Sequence, residues 1–207
     1  KEFNKLTDQS GVGYYIAFSI IYIYFALTEF YLNSNLQLNS WFNDLKDTLL
    51  IFSIFVSLFL LRDLFSSKNL PGILVKKYFR FIFYITSSFV FIYLIANFKG
   101  FYDPSIILGC FILIWVNDSF AYIVGKSFGK QKLFYSISPH KTVEGFLGGL
   151  LFCCISASIV SRYIDETLTT PNWLIIAIIV SVFGTLGDLI ESKLKRESNV
   201  KDSGKII

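Results

Sequence analysis

The chain has 207 residues, of which 54% are hydrophobic, 18% aromatic and only 16% charged, far from the average of soluble domains. Such a balance excludes an ordinary soluble globular fold and points to an all-α, polytopic integral membrane helical bundle. The net charge is +4, and no nucleic acid is expected as a partner.

The chain holds no methionine and opens Lys1-Glu2-Phe3, so it reads as a piece of a longer protein. No charged, apolar and cleavage-site series is visible at its start, and no secretory signal peptide is expected. Apolar stretches near spanning length then recur at Val12 to Leu32, Thr48 to Phe65, Tyr78 to Phe98, Ser105 to Gly125, Gly145 to Ile164 and Trp173 to Ser192. A span needs about 20 such residues, which gives about six transmembrane helices. The second is the weakest, because its uninterrupted part ends at Leu61, before Arg62. Glu29 in the first span reads as a structural hydrogen-bonding group or one close to the outer interface. Cys110, Cys153 and Cys154 lie in expected spans at no metal-ligand spacing and read as small packing residues.

Basic residues orient the bundle, since cytoplasmic loops carry the excess of Lys and Arg. Sixteen of the 19 fall on one side; Lys46, Lys99 and Arg162 alone fall on the other. Both ends of the chain are therefore expected in the cytoplasm, and if the source is bacterial the membrane is the inner one. The segment Arg62 to Arg80, with five basic residues around Pro71-Gly72, carries the same signal. Residues 1–104 are read as N-terminal membrane helices, and 105–207 as a region whose cytosolic loops carry the polar motifs.

Three polar elements reach that face. The fourth span contains Asn117 and Asp118 near its cytoplasmic end, with Asp118, Tyr122 and Lys126 at i, i+4 and i+8. Ala121, Gly125 and Gly129 would let a helix or a ligand approach closely. A hydrogen-bonding pair between helices explains Asn117 and Asp118 as well as a functional site does. The second element, Ser136-Ile-Ser-Pro-His-Lys-Thr-Val-Glu-Gly145, reads as a loop entering a helix capped by Thr142 or Ser138. Free N–H groups there, together with Lys141, would suit an anion; an ordinary capped loop is the plainer reading. In the third, Asp188, Glu191 and Lys195 fall within roughly 60° on one helix face. Ionisable residues at the end of an apolar span call for a partner, most simply a cation. Polar residues at the ends of spans, rather than at the midplane, argue against a transporter.

The third element, Gly187-Asp188-x-x-Glu191-Ser-x-x-Lys195-Arg196-x4-Lys201-Asp202-Ser-Gly204, closely resembles the signature of the phosphatidate cytidylyltransferases, or CDP-diacylglycerol synthases. Asp118-Ser-Phe-Ala-Tyr122, Gly125-Lys-Ser-Phe-Gly-Lys130 and Ser138-Pro-His-Lys-Thr-Val-Glu-Gly145 are similar to further elements of that family, which normally has Lys and Trp where this chain has His140 and Val143. The family signature continues into Pro-Gly-His-Gly-Gly and Asp-Arg segments that lie beyond Ile207. The resemblance implies transfer of CMP from CTP to phosphatidate, a membrane lipid, with Mg2+ required. It implies Asp188 as a metal ligand and Asp202 as a second, weaker candidate. Asp188, Lys195, Arg196, Lys201 and Asp202 form the implied catalytic set, and Asn117, Asp118, Ser138, Lys141, Thr142, Glu144 and Glu191 the implied substrate-binding set. His140 is not expected to be catalytic. A homodimer is a further candidate assembly. Two alternatives stay open: a CTP-dependent polyprenol or phytol kinase, and a non-catalytic polytopic membrane protein.

Overall fold

The computed structural model describes Ile16, Ser19, Ile20 and Ile23 and residues 39–65, 87–97, 102–164 and 168–197. The rest of the first expected span, with Glu29, the 62–80 loop beyond Phe65, Lys201 and Asp202 lie outside these residues. The chain divides into two compact units, one formed by residues 1–102 and 194–207 and the other by residues 103–193.

In the first unit, α1 runs Asn39–Phe65 and α2 runs Ser87–Ala96. Ser53, Val56, Leu60 and Leu64 are buried along α1, while Ile51, Ile54, Phe55 and Leu58 are exposed. An apolar face turned outward is the condition for lying in lipid, where only the hydrogen-bonded backbone must be hidden. The expected second span is therefore helical throughout. Of the third, residues 87–96 are seen as helix.

The second unit holds α3 (Ser105–Phe128), a two-stranded hairpin of β1 (Lys132–Phe134) and β2 (Ser138–Thr142), and α4 (Val143–Tyr163); α5 (Thr170–Glu197) runs from it into the other unit. The helices Ser105–Phe128, Val143–Tyr163 and Thr170–Arg196 are each long and apolar enough to cross a membrane. They bear out the last three expected spans and make the protein an integral membrane protein; the full count of six exceeds what the described residues show.

Each helix begins where local chemistry allows. Asp103 accepts a hydrogen bond from the Ser105 N–H at 2.9 Å, and Pro104, which has no N–H to lose, stands at the N-cap of α3. Thr142 caps α4 by accepting from the Gly145 N–H at 3.1 Å, one of the two caps that the sequence offers.

Helix α4 shows how the bundle packs. Gly145, Gly149, Cys153 and Ala157 are buried at four-residue intervals, and Leu147, Leu151, Ile155 and Ile159 are exposed at the same interval. Small residues face protein and large aliphatic ones face outward, the reverse of a soluble helix. Lipid is as apolar as leucine, so close backbone packing rather than hydrophobic burial draws such helices together. A Cβ on Gly145 would lie 2.7 Å from the Ala121 carbonyl oxygen and 3.1 Å from the Gly125 Cα. The expected close approach at Ala121 and Gly125 is thus made, and helix α4 makes it. Deeper in, Ile106, Leu113, Cys153, Ala157, Val160, Trp173 and Ala177 form the core among α3, α4 and α5. The Trp173 ring fills the space in which a side chain on Gly109 would stand.

The hairpin departs from the expected loop. Strands β1 and β2 pair antiparallel, with Lys132 opposite Thr142 and Phe134 opposite Ser138 and an irregularity between them. Pro139 is tolerated because β2 is an edge strand of a two-stranded sheet. The hairpin spans the gap between α3 and α4 and carries Lys132, His140 and Lys141.

Candidate active site

A cavity of about 710 Å³ opens beside the hairpin, and all of its lining residues belong to the second unit. Helix α3 supplies Asn117, Asp118, Tyr122 and Lys126; the hairpin supplies Lys132, His140, Lys141 and Thr142; helix α5 supplies Thr185 and Asp188. The three polar elements read from the sequence therefore meet in one place.

The i, i+4, i+8 face of α3 does point one way, since Asp118, Tyr122 and Lys126 all line the cavity. The Lys126 ammonium lies 5.7 Å from the centroid of the Tyr122 ring, within range of a cation–π contact. Asn117 is 4% exposed and donates through Nδ2 to Asp118 Oδ1 at 3.4 Å. A Cβ on Gly149 would stand 2.9 Å from Asn117 Oδ1, so Asn117 is packed against α4 and steadies Asp118 from behind.

Lys141 Nζ donates to Asp188 Oδ2 at 2.8 Å, with the side chains 28% and 56% exposed. This pair joins residues 47 positions apart and closes the cavity between the hairpin and α5. Leu189 and Ile190, the two residues after Asp188, are buried and fix this part of α5, so the carboxylate has a defined place.

The start of α4 corrects an expectation. Its N–H groups do not stand free for an anion: the Val143 N–H donates to the Gln131 carbonyl at 2.9 Å and the Gly145 N–H to Thr142 Oγ1 at 3.1 Å. Positive charge at the cavity comes instead from side chains. Lys126, Lys132 and Lys141 line the cavity beside Asp118 and Asp188, three ammonium groups against two carboxylates.

Glu144 is not among the lining residues. Its carboxylate accepts from the backbone N–H groups of Lys130, at 3.0 Å, and Gln131, at 3.1 and 3.2 Å. It ties the end of α3 to the start of α4 and so sets the base of the hairpin. Beside that clasp, a Cβ on Gly129 would lie 2.7 Å from Thr142 Cγ2, which is why glycine stands there. Glu144→Gln keeps the length but replaces a two-oxygen acceptor with one acceptor and one donor. Amide exchange at Lys130 and Gln131 is expected to quicken roughly tenfold in that variant. Unchanged exchange at both amides would remove the clasp.

Of the remaining expected residues, Ser138 lies on β2 opposite Phe134, and neither it nor Glu191 lines the cavity. Lys195 and Arg196 stand in the last turn of α5, and Lys195 keeps an interaction of its own there. Lys126, Lys132, His140 and Thr185 line the cavity without having been counted in the site. Thr185 had a legible signal, since it precedes Asp188 by three residues on the same helix face; Lys132 had none beyond its charge.

The sequence as a whole matches the model of the cytidylyltransferase family, over residues 1–207. A phosphatidate cytidylyltransferase from Staphylococcus saprophyticus is 39% identical over 171 residues, which cover 81% of this chain and 62% of that protein. The phosphatidate cytidylyltransferase of Bacillus subtilis is 50% identical over 96 residues, 46% of this chain and 36% of that protein. That of Staphylococcus haemolyticus is 46% identical over 101 residues, 49% of this chain and 39% of that protein. The matched parts thus span 62% or less of these relatives' own lengths. A match that runs from the first residue to the last settles the kinship: this membrane chain belongs to the cytidylyltransferase family.

Proposed function

We propose that the protein is a phosphatidate cytidylyltransferase, making CDP-diacylglycerol and pyrophosphate from CTP and phosphatidate. The observation that carries this reading is the cavity: polar segments remote in sequence bring two carboxylates and three lysines together beside three membrane-spanning helices. Such a place suits chemistry between a lipid phosphate and a water-soluble polyphosphate, both anionic. The relatives' names support the same substrates.

In the reaction a phosphate oxygen of phosphatidate attacks the α-phosphorus of CTP. The bond from that phosphorus to the β-phosphate oxygen breaks, and pyrophosphate leaves with the electron pair. No covalent intermediate on the protein is needed. Rate comes from holding two anions in line and neutralising the charge that gathers on the leaving group. Lys126, Lys132 and Lys141 bring their ammonium groups to these phosphates. Lys195, Arg196 and Lys201 are assigned to them as well, arginine being suited to bidentate contact. Asn117 holds Asp118 in place.

The cavity also fits magnesium. Among the described residues no three His, Cys, Asp or Glu side chains gather as a cage. Two carboxylates, Asp118 and Asp188, do line the cavity, and magnesium takes one or two carboxylates and draws its other ligands from phosphates and water. Asp188 and Asp118 would hold it, with Asp202 a further candidate. When bound, it would supply positive charge to the phosphate oxygens and the leaving group. The active face is assigned to the cytosol, in the inner membrane of a bacterial cell.

The test is to supply the full-length protein, in detergent or vesicles, with magnesium, phosphatidate and CTP labelled in turn at the cytosine, the α-phosphate and the γ-phosphate. Cytosine and α-phosphate label should both enter the lipid phase, with γ-label released in pyrophosphate. Transfer of γ-label alone to a lipid alcohol would overturn the reading in favour of a lipid kinase.

A further inference from the structure

The Lys141–Asp188 pair joins two residues that the reaction needs for opposite purposes, an ammonium for phosphates and a carboxylate for a cation. From this we infer that the cavity is loaded by exchange: Lys141 holds Asp188 until a polyphosphate draws the ammonium away, and the freed carboxylate then takes the divalent cation. The inference rests on the cytidylyltransferase reading for what enters the cavity.

Its physical basis is competition for one carboxylate. The ammonium stands 2.8 Å from Asp188 Oδ2, a charge-assisted hydrogen-bond distance. A magnesium ion lies about 2.1 Å from a ligand oxygen, so a cation on that oxygen would face the ammonium at short range. One of the two must yield. Lys141 is the mobile partner: its ammonium sits on a flexible four-carbon stem, whereas Asp188 is fixed by the buried residues that follow it. A polyphosphate offers Lys141 several anionic oxygens in place of one carboxylate. Cation and polyphosphate therefore each favour the other's binding, and by linkage the factor is the same in both directions.

The consequence runs against the usual expectation for a binding-site lysine. Lys141→Met should bind a divalent cation more tightly, because the carboxylate has lost its occupant. Asp188→Asn should bind polyphosphate more tightly without metal, because the ammonium has lost its carboxylate. An exposed ion pair of this kind is worth a factor of up to about five in binding, which sets the size of both gains.

The experiment uses the full-length protein in detergent and two simple probes. Mn2+ alone is titrated by electron paramagnetic resonance, and inorganic tripolyphosphate is titrated by calorimetry in the presence of a chelator. The wild type should bind Mn2+ weakly, and Lys141→Met should bind it about two- to fivefold more tightly. Asp188→Asn should gain about the same factor for tripolyphosphate. Lys132→Met takes the same charge from the same cavity but leaves the Lys141–Asp188 pair intact, so it should tighten Mn2+ less. Equal tightening in both lysine variants, or none in Lys141→Met, would overturn the exchange. Should Lys141→Met not fold, Lys141→Gln repeats the measurement with most of the stem retained. Neither probe contains cytidine, so tightening of this pattern upholds the exchange even where the label assay shows no cytidylyl transfer, and that failure then falls on the proposed function alone.

Discussion

Asparagine at position 188 is expected to abolish magnesium-dependent turnover, a loss on the order of a hundredfold or more, while leaving the helices packed. The size follows from what is removed. Changing a residue that only supports a metal ligand costs about ten- to a hundredfold, and Asp188 is proposed as the ligand itself. Asparagine keeps the volume and one acceptor oxygen but not the charge. Folding should be spared because the Asp188 side chain is 56% exposed, and a surface ion pair contributes little to stability. The fold around it rests on Leu189, Ile190 and the α3–α4–α5 core. Melting curves with and without magnesium separate the two roles. A ligand that binds only the folded state raises its stability by about 2.7 kcal/mol at a hundred times its dissociation constant. The wild type should show this rise and Asp188→Asn should not, with its melting temperature in the absence of metal close to wild type. Turnover near the wild-type rate would take Asp188 out of the reaction.

The second unit was largely legible because its strongest signals are local. Each of α3, α4 and α5 is announced by an apolar run of spanning length, and the small residues Ala121 and Gly125 marked where another helix comes close. The capping of α4 by Thr142 followed from the residue type and its place before an apolar run. What remained hidden depends on contacts that periodicity does not carry. Strands of three and five residues, one containing Pro139, give no alternating pattern to read. Their register depends on Glu144, which grips Lys130 and Gln131 from 14 and 13 positions away. The same distance effect explains the misplaced anion site. A helix start near Lys141 suggested open N–H groups, but Gln131 O, from the residue just before β1, had already taken one of them. Asp188 and Lys141 were both legible as polar residues near the membrane; that they hold each other was not, since nothing local links residues 47 apart.

Valine at position 145 is expected to separate α3 from α4 and to cost stability and activity together, which distinguishes it from a change to the charged side chains of the cavity. A Cβ there would stand 2.7 Å from the Ala121 carbonyl oxygen, 3.0 Å from Thr142 Oγ1 and 3.1 Å from the Gly125 Cα. Two of these three neighbours are backbone atoms of a helix, which cannot turn aside as a long side chain can. The third is the cap that begins α4. Overpacking of this sort typically costs about 1–3 kcal/mol, and a branched side chain against backbone should fall at the upper end. The site would suffer because Asn117 and Asp118 stand on α3 while Lys141 and Thr142 lead into α4. A shift between these helices moves one wall of the cavity against another, and a misplacement of about 1 Å costs on the order of a hundredfold in rate. Thermal unfolding in detergent should show a lowered melting temperature for Gly145→Val, and the label assay a matching loss. Gly184→Ala is the control, because a Cβ there meets nothing within 4 Å and alanine is the better helix former. It should be neutral or slightly stabilising. If Gly145→Val melted with the wild type, the close crossing of α3 and α4 would not be what holds the cavity in shape.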